Sequence, residues 1–465
     1  MDKNFAGQGV LLFVDQILIS VTNWIFWLII SKLISPSEIG QASVIFSLVL
    51  LFSTLSQLGL EYPLLKKSAS HGSSIVVSSL VIEAIITIIL IPVLYYIGST
   101  DAYHSSASGF VWISIGLLVF MSLGFVVRFA LLGISDARNI FIRDIIGTAS
   151  KFIVGLGLVS LGLGALGILL SFLFYNLIVT ISGLTLVLKK FRITKYADIR
   201  WRSDVFLQTV RESLVNAPAK YSRFGVLILS MSVVLLGVFG ISDAEIGIFY
   251  MTTMISLVIG SLASSISYAV IPASSLAKSD LTDGSLRIGL SLTSPLISAL
   301  AVAPAYILSL IGPEYTSGGS ALFILSVSIL PSIIVMNSIS KFNNSNESRK
   351  IIVIGCIQFA SFLVSFTIFV PLHGIFGAAV SIFVAYLTSS IPSLIWSNNQ
   401  VRRYVVNSTI ATFAGILLGI TISLGASMLH PIMAIFAALT LTTITTLLFK
   451  NTTPKEIKEI LKSIR

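Results

Sequence analysis

Three polar side chains share one face of an apolar helix predicted near the middle of the chain. Asn216, Lys220 and Arg223 stand at i, i+4 and i+7, so they lie on the same side of an α-helix. The predicted helix, residues 214–240, contributes no acidic residue to offset the two cations. A cation in a low-dielectric cavity needs an anion nearby, and phosphate meets that need because Arg can bind it through two hydrogen bonds. We therefore predict an anion-binding site at Lys220 and Arg223.

Four further ionisable residues interrupt other apolar segments: Asp15, Glu83, Arg128 and Lys151. A charge at the centre of a membrane helix costs about 2.5–3.5 kcal/mol on insertion scales, so such residues are kept where they face a helix bundle or a wet cavity. One interpretation is structural, with Glu83 paired to Arg128 and Asp144 paired to Lys151. The other is functional, with the cations adding to the anion site and the acids carrying a coupling ion. The sequence leaves both open.

The chain offers no constellation of residues for catalysis. It has no Ser–His–Asp set, no glycine loop that would cradle a phosphate and no metal-ligand spacing, and its single cysteine excludes an internal disulfide. No connection on the predicted outer side is long enough to fold into a catalytic domain. We predict a protein that is not an enzyme and that uses no cofactor apart from a coupling proton or Na⁺.

Long apolar segments must position the polar residues. The 465 residues are 55% hydrophobic and 10% charged, with a mean hydropathy of +0.99, whereas soluble proteins carry about 25% charged residues. About 20 apolar residues suffice to span the hydrocarbon core as a helix. We predict an all-α polytopic membrane protein of about 14 transmembrane helices. The predicted spans are 10–32, 41–60, 74–98, 108–133, 141–161, 165–188, 214–240, 247–271, 286–311, 318–340, 350–370, 374–397, 405–428 and 431–449.

Positive charge is sorted between alternate connections. Of the 29 Lys and Arg residues, 24 lie in the termini and the even-numbered connections, and the odd-numbered connections hold only Lys32. Cytoplasmic loops are enriched in Lys and Arg, so both termini are predicted to be cytoplasmic in a multi-pass protein of the cell (plasma or inner) membrane. Because the charges are spread over eight segments, we expect contact with membrane lipids and no nucleic-acid partner.

One motif occurs twice, each time between two apolar runs: Ile34-Ser35-Pro36-Ser37-Glu38-Ile39-Gly40 returns as Ile241-Ser242-Asp243-Ala244-Glu245-Ile246-Gly247. A second pair, Gly164-Ala165-Leu166-Gly167 and Gly374-Ile375-Phe376-Gly377, opens predicted helices six and twelve. Internal repeats of this kind are typical of transporters, and an even number of helices per repeat makes the repeats parallel. The predicted parts are a six-helix lobe (1–190), a basic cytoplasmic linker (191–213), a second six-helix lobe (214–397), two additional helices (398–449) and a basic cytoplasmic tail (450–465).

Five motifs resemble those of polysaccharide-biosynthesis flippases of the O-antigen type, in order over about residues 10–400. The family has a basic residue, Leu, Leu or Ile and Pro-Glu-Glu-x-Gly, then Asp-Leu-Gly-Leu, Glu-x-x-Gly-x-Tyr, Leu-Gly-Pro-Glu-Tyr/Phe and Pro-x-x-Gly-x-x-Gly-Ala-Ala. The similar segments here are 32–40, 57–60, 243–249, 311–315 and 371–379. The chain departs from the pattern in two ways: Gln57 replaces the usual Asp, and Glu61-Tyr62-Pro63 stands where small or polar residues are common. Ion coupling is therefore not assigned to helix two.

The resemblance implies a member of the multidrug/oligosaccharidyl-lipid/polysaccharide exporter superfamily. Such a flippase moves a polyprenyl-(di)phosphate-linked oligosaccharide from the cytoplasmic to the outer leaflet by alternating access. The expected phosphate-binding residues are Lys220, Arg223, Lys151, Lys32 and Arg128. Polar cavity residues expected to meet sugar hydroxyls, with helix packing as the alternative role, are Asn216, Thr54, Gln57, Ser261 and Ser264. Candidates for carrying a coupling proton or Na⁺ are Asp15 and Glu83.

Two alternative functions would each need features that differ from those of a flippase. A multidrug/H⁺ or Na⁺ antiporter of the same superfamily would need an acidic and aromatic cavity for organic cations. A membrane-embedded glycosyltransferase or polysaccharide polymerase would need a long exterior loop with catalytic groups. For a flippase we expect a monomer that works beside polysaccharide polymerase or glycosyltransferase machinery.

Overall fold

The computed structural model describes residues 3–99, 110–191, 202–221, 225–277, 282–345, 347–425 and 431–449, and these ranges contain no β-strand. Within these ranges, sixteen α-helices follow one another. They are α1 (Lys3–Ile30), α2 (Pro36–Ser56), α3 (Glu61–His71), α4 (Ser73–Ser99), α5 (Val111–Gly133), α6 (Ala137–Ser160), α7 (Gly164–Lys190), α8 (Ser203–Tyr221), α9 (Gly225–Val238), α10 (Asp243–Ala277), α11 (Thr282–Val302), α12 (Pro304–Ser309), α13 (Gly319–Asn344), α14 (Ser348–Ile395), α15 (Asn399–Gly425) and α16 (Pro431–Leu448). A short 3₁₀-helix, Pro313–Gly318, precedes α13.

The helices have the length and composition of membrane spans. Within the described residues, nine helices are long and apolar enough to cross a bilayer, and three shorter apolar helices accompany them. The 48-residue α14 is two helices joined at a kink, and α6 is long enough to span but carries several charges. These features together account for the predicted number of spans. The prediction of an all-α polytopic membrane protein is confirmed.

Large apolar side chains on the spanning helices point away from the protein. Ile88 on α4, Trp112 on α5 and Ile153 on α6 are exposed by 65%, 76% and 74%. Apolar surface of this extent marks contact with a membrane or a partner, and here it lies on helices long enough to span a bilayer.

The two copies of the repeated motif each start a helix in the same way. Ser35 caps α2, and its hydroxyl accepts from the backbone N–H of Glu38 while the Glu38 carboxylate accepts from the Ser35 N–H. At the start of α10, the Glu245 N–H donates to the Ser242 hydroxyl, which donates to the Glu245 carboxylate. A Ser followed three positions later by Glu satisfies backbone donors that the first helical turn leaves unpaired. The recurrence of Ser and Glu therefore reflects two equivalent helix starts.

These two helix starts also pack directly on each other. A Cβ on Gly40 would overlap the carbonyl oxygen of Asp243, and a Cβ on Gly247 would overlap that of Pro36. Pro36 and Asp243 are equivalent positions of the motif, as are the two glycines, so the contact is reciprocal. Gln41 Nε2 adds a hydrogen bond of 3.1 Å to Asp243 Oδ2. Each motif keeps its glycine because the backbone of the other copy occupies the space of a side chain.

Glycines start two further helices where the sequence predicts them. Gly164, with φ of 44°, begins α7, and Gly374, with φ of 54°, separates the two halves of α14. Positive φ favours glycine because other L-residues are strained there. Gly377 then lets the second half of α14 approach the backbone of Phe369, where a Cβ would overlap. The predicted starts of helices six and twelve are confirmed.

Residues 33–247 form one of two compact units, called the 33–247 unit below. In it, α7 packs on α5 and α6, while α2 packs on α5, α7 and α9. The short α3 lies against α4, α5 and α8. Its fully buried apolar side chains include Leu118, Val126, Ile140 and Ile168.

Residues 1–32 and 248–465 form the other compact unit, called the split unit. The Trp27 ring of α1 packs edge-on against Tyr250 of α10, with 4.8 Å between centroids. Helix α11 contacts α13, α15 and α16. A hydrogen bond of 2.9 Å from the Thr442 hydroxyl to Ser298 joins α16 to α11. The two helices predicted outside the repeat are thus packed against predicted helix nine.

The compact units divide the chain at other places than the predicted lobes, 1–190 and 214–397. The first predicted helix belongs to the split unit, and the seventh belongs to the 33–247 unit. The lobe boundaries drawn from the repeat stay a prediction.

Candidate functional site

A break between α2 and α3 builds the site around Lys220. Leu58 and Gly59 both have positive φ, 38° and 77°, so the chain leaves the helix after Gln57 and starts a new one at Glu61. A Cβ on Gly59 would lie 2.8 Å from the carbonyl oxygen of Ser213 on α8. The break therefore requires glycine for its conformation and for its close approach to α8. It directs Gln57 and Glu61 towards the same end of that helix.

Lys220 lies near the end of α8 between these two residues. Its Nζ donates to Gln57 Oε1 at 2.5 Å and lies 3.1 Å from Glu61 Oε2. It also stands 4.5 Å from the centroid of the Phe125 ring, where a cation–π interaction is favourable. The Lys220 side chain is 9% exposed. The sequence argument that Lys220 lacks an acidic partner is therefore wrong, because the acid comes from another helix.

A second hydrogen bond fixes the end of α8 beside α2. The Tyr221 hydroxyl donates to the carbonyl oxygen of Leu55 at 2.6 Å. Since this bond and the one from Lys220 to Gln57 act on adjacent residues, they hold the cation in a defined position.

Glu83 of α4 lies in the same unit and is fully buried. Its Oε1 is 2.5 Å from the Ser56 hydroxyl, which is 3.0 Å from the Ser122 hydroxyl of α5. The charges of Lys220 and Glu61 reach this carboxyl group electrostatically. Glu61, Glu83 and Lys220 thus form one group, two acids and a base, which we call the acid–lysine cluster.

Arg128, which is partly exposed, forms another group with the buried Asp144 and Arg143. Arg128 Nη1 is paired with Asp144 Oδ2, and Arg143 Nη2 is 2.8 Å from Asp144 Oδ1. Two guanidinium groups thus share one carboxylate. The predicted pairs of Glu83 with Arg128 and of Lys151 with Asp144 are wrong, since Asp144 takes both Arg side chains and Glu83 bonds to a serine.

Lys151 is buried among aromatic rings on α6 and α7. It is 4% exposed, and its Nζ stands 5.3 Å from the Phe172 centroid and 5.8 Å from that of Tyr175. Aromatic faces offset part of the cost of burying a cation. The 33–247 unit therefore holds two buried basic side chains, Lys151 and Arg143, and the partly exposed Arg128 beside them.

Three of the predicted sugar-contacting residues bond to their own helix. Asn216 donates to the Glu212 carbonyl, Thr54 to the Leu50 carbonyl and Ser261 to the Val258 carbonyl, all at 2.7 Å. Such bonds satisfy a polar side chain in a membrane helix without a ligand. Their sugar-contacting role stays a prediction.

The remaining predicted residues lie elsewhere. Lys32 is exposed and its Nζ donates to the Leu310 carbonyl at 3.0 Å, within the split unit. Asp15 is fully buried in the same unit. Arg223 and the side chain of Ser264 lie outside the described residues.

Sequence reasoning missed four participants: Glu61, Ser56, Ser122 and Arg143. Glu61 carried a usable signal, because the sequence spaces Thr54, Gln57 and Glu61 at i, i+3 and i+7, although the structure breaks the helix between Gln57 and Glu61. Arg143 lies near the start of the predicted span 141–161 and was not proposed as a partner of Asp144, and the structure buries it in α6. The two serines gave no signal, since small polar residues are common in membrane helices.

Comparison with solved structures defines the fold, which this chain shares with structures described as a flippase and as multidrug transporters. The chain is similar to "Lipid II flippase MurJ, inward closed conformation", with a TM-score of 0.71, 15% identity, and coverage of 95% of this chain and 100% of that one. It is also similar to an inward-facing multidrug resistance MATE family transporter of the MOP superfamily, with a TM-score of 0.60, 15% identity, and coverage of 87% and 96%.

The chain belongs to the polysaccharide biosynthesis protein family, whose sequence model matches residues 29–316. No curated protein sequence matches the chain. The resemblance read from the sequence motifs is confirmed.

Proposed function

We propose that this protein flips a polyprenyl-(di)phosphate-linked oligosaccharide from the cytoplasmic to the outer leaflet by alternating access, and that it is a transporter without catalytic activity. Family membership and the fold shared with a lipid II flippase support this function. The observation that supports the choice of an anionic cargo is Lys220, whose side chain is 9% exposed and is held by Gln57 and Glu61 at the end of α8.

The phosphate binds by replacing Glu61 as the ion-pair partner of Lys220. A carboxylate brings one negative charge, whereas a phosphate monoester brings about −1.5 to −2 at pH 7, so Coulomb attraction favours the exchange. Arg223, two positions beyond Tyr221, makes a second phosphate contact, because its planar guanidinium group can donate two hydrogen bonds to a phosphate. Lys151, Arg128 and Lys32 are further phosphate contacts along the path, and the polar residues at 54, 57, 216, 261 and 264 contact the sugar.

Orientation and energetics fit an outward movement of negative charge. With both termini in the cytoplasm of the cell membrane, an anion that moves outward gains about 2.3 kcal/mol per charge per 100 mV. A coupling proton or Na⁺ carried by Asp15 or Glu83 adds to this gain. The protein works as a monomer beside polymerase or glycosyltransferase machinery.

The fold of the multidrug transporters favours a second candidate, export of organic cations. That function calls for unpaired acids near aromatic rings. In the 33–247 unit the aromatic rings around Lys151 surround a cation, and Asp144 is shared by two Arg side chains. This charge distribution favours an anionic cargo.

A reconstitution experiment tests the choice. Purified protein in liposomes is given a fluorescent polyprenyl-diphosphate oligosaccharide or, separately, a fluorescent organic cation, and transfer between leaflets or across the membrane is followed. Lys220→Ala with Arg223→Ala is expected to abolish lipid transfer, whereas Lys66→Ala, a control at an exposed lysine, is expected to retain it. Wild-type lipid transfer by the folded double variant would refute the phosphate assignment, and transport of only the organic cation would favour the second candidate.

A further inference from the structure

The Ser56 hydroxyl has three close oxygen neighbours but only one hydrogen to donate. Its Oγ lies 2.8 Å from the Ser53 carbonyl oxygen, 2.5 Å from Glu83 Oε1 and 3.0 Å from Ser122 Oγ. All three distances are those of O–H···O hydrogen bonds, and three full two-centre bonds need three hydrogens, because a hydrogen shared between two acceptors gives a weaker bond to each. A carbonyl and an ionised carboxylate can only accept.

Counting hydrogens identifies the missing donor. Ser122 supplies one hydrogen to Ser56, and Ser56 supplies one to the Ser53 carbonyl. With Glu83 ionised, that same Ser56 hydrogen must also be donated to Glu83 Oε1, so the contacts of 2.8 Å and 2.5 Å would share a single hydrogen. A proton on Glu83 Oε1 completes the set, since it is donated to Ser56 while Ser56 donates onward. Burial points the same way, because Glu83 is fully buried and its Oε2 has no hydrogen-bond partner among the described residues.

The groups around Glu83 determine what this proton does. Helices α2, α3, α5 and α8 pack against α4. The charged groups from these helices that act on Glu83 are Lys220 and Glu61, and Tyr221 is a third titratable neighbour. With the proton bound, Glu61 and Lys220 balance each other. Without it, the acid–lysine cluster carries one net negative charge.

We propose that Glu83 is a proton-binding site that is occupied in this conformation and that controls the affinity of Lys220 for an anionic headgroup. Loss of the proton places a second carboxylate in competition for Lys220 and repels an incoming phosphate. The second half of this proposal rests on the proposed function, whereas the proton site itself does not.

Infrared difference spectroscopy tests the proton site without any lipid cargo. On transfer from neutral to alkaline buffer, the wild-type protein is expected to lose the carbonyl stretching band of a buried protonated acid. Glu83→Gln is expected to lack that band in both buffers. Glu83→Gln keeps the size and neutrality of the protonated side chain, so it is expected to fold. Glu212→Gln, at a partly exposed acid paired with Lys67, is the matched control and is expected to keep the band. A band that is absent from wild type, or unchanged in Glu83→Gln, would overturn the proton site.

Binding of a short-chain polyprenyl phosphate, measured from neutral to alkaline pH, tests the control of affinity. Wild-type affinity is expected to fall about tenfold as the proton leaves, and the affinity of Glu83→Gln is expected to stay at the neutral-pH value. Equal pH dependence in the two proteins would overturn the control of Lys220 by Glu83. If neither protein binds the probe at any pH, the proposed function is refuted, and the control of Lys220 by Glu83 is refuted with it. The infrared result would still decide whether Glu83 binds a proton.

Discussion

Replacing Gly59 with Ala should loosen the end of α8 that carries Lys220. Two costs add at this position. The residue has φ of 77°, where a side chain costs about 1–2 kcal/mol. The new Cβ would also lie 2.8 Å from the Ser213 carbonyl oxygen, about 0.6 Å inside ordinary contact, and both groups are backbone and cannot rotate away. Overpacking of this kind costs about 1–3 kcal/mol, so the total is about 2–5 kcal/mol.

Alanine substitutions at two other glycines of the 33–247 unit measure the backbone strain separately from the steric overlap. Gly162 has φ of 85° and no atom within 4 Å of an added Cβ, so Gly162→Ala should show the backbone strain alone. Gly157, within α6, has free space and ordinary helical geometry, so Gly157→Ala should be neutral or stabilising by about 0.5–1 kcal/mol.

Thermal unfolding in detergent, followed by tryptophan fluorescence, measures the order of stability. The expected order is Gly157→Ala at or above wild type, then Gly162→Ala, then Gly59→Ala. Gly59→Ala should also weaken binding of a polyprenyl phosphate, because the hydrogen bond of 2.5 Å from Lys220 to Gln57 depends on the position of α8. Equal melting temperatures for Gly59→Ala and Gly162→Ala would show that the close approach to Ser213 carries no cost, and the reasoning about the break would fail.

Two more predictions concern charges outside the acid–lysine cluster. Lys151→Met keeps the length of the side chain and removes a buried charge, so thermal stability should be unchanged or higher while transfer of the anionic lipid falls; lower stability would show a structural role instead. Burial alone would raise the pKa of Asp136, but hydrogen bonds from Asn139 and Lys190 hold it below its usual value at the turn before α6. Because that pKa is lowered on folding, its stabilisation is present at neutral pH and is lost as the pH falls through it. Asp136→Asn should therefore lower stability at neutral pH by about 0.2–1 kcal/mol, less at high salt, and the difference from wild type should vanish in acid.

The sequence predicts the helices better than the partners of their charges. Apolar length alone identifies the spans, and Gly164 and Gly374 mark helix starts because their conformations favour glycine. The partner of Lys220 could not be read from its own helix, because Glu61 reaches it through a break that depends on positive φ at two consecutive residues and on contact with α8. Charge pairing in a helix bundle depends on which helices become neighbours, and hydropathy does not carry that information.

If the proposed function is right, Glu61 should give the site selectivity as well as a resting partner for Lys220. Most anionic membrane lipids are phosphodiesters with one negative charge, whereas a polyprenyl phosphate or diphosphate carries about two or more. An anion with a single charge gains little by displacing a carboxylate that is already 3.1 Å from Lys220, while one with two charges gains more. Glu61→Gln removes this competition and leaves a neutral side chain of the same size.

Glu61→Gln should therefore bind phosphodiester lipids that wild type excludes. The measurement is native mass spectrometry of lipids retained by each protein after the same detergent wash, with added polyprenyl phosphate as competitor. Glu212→Gln, which loses the carboxylate paired with Lys67, serves as the control for removing an acid from the same unit. If Glu61→Gln retains no more phosphodiester lipid than wild type, then Glu61 does not compete for the headgroup. The pair it forms with Lys220 would then be a structural contact.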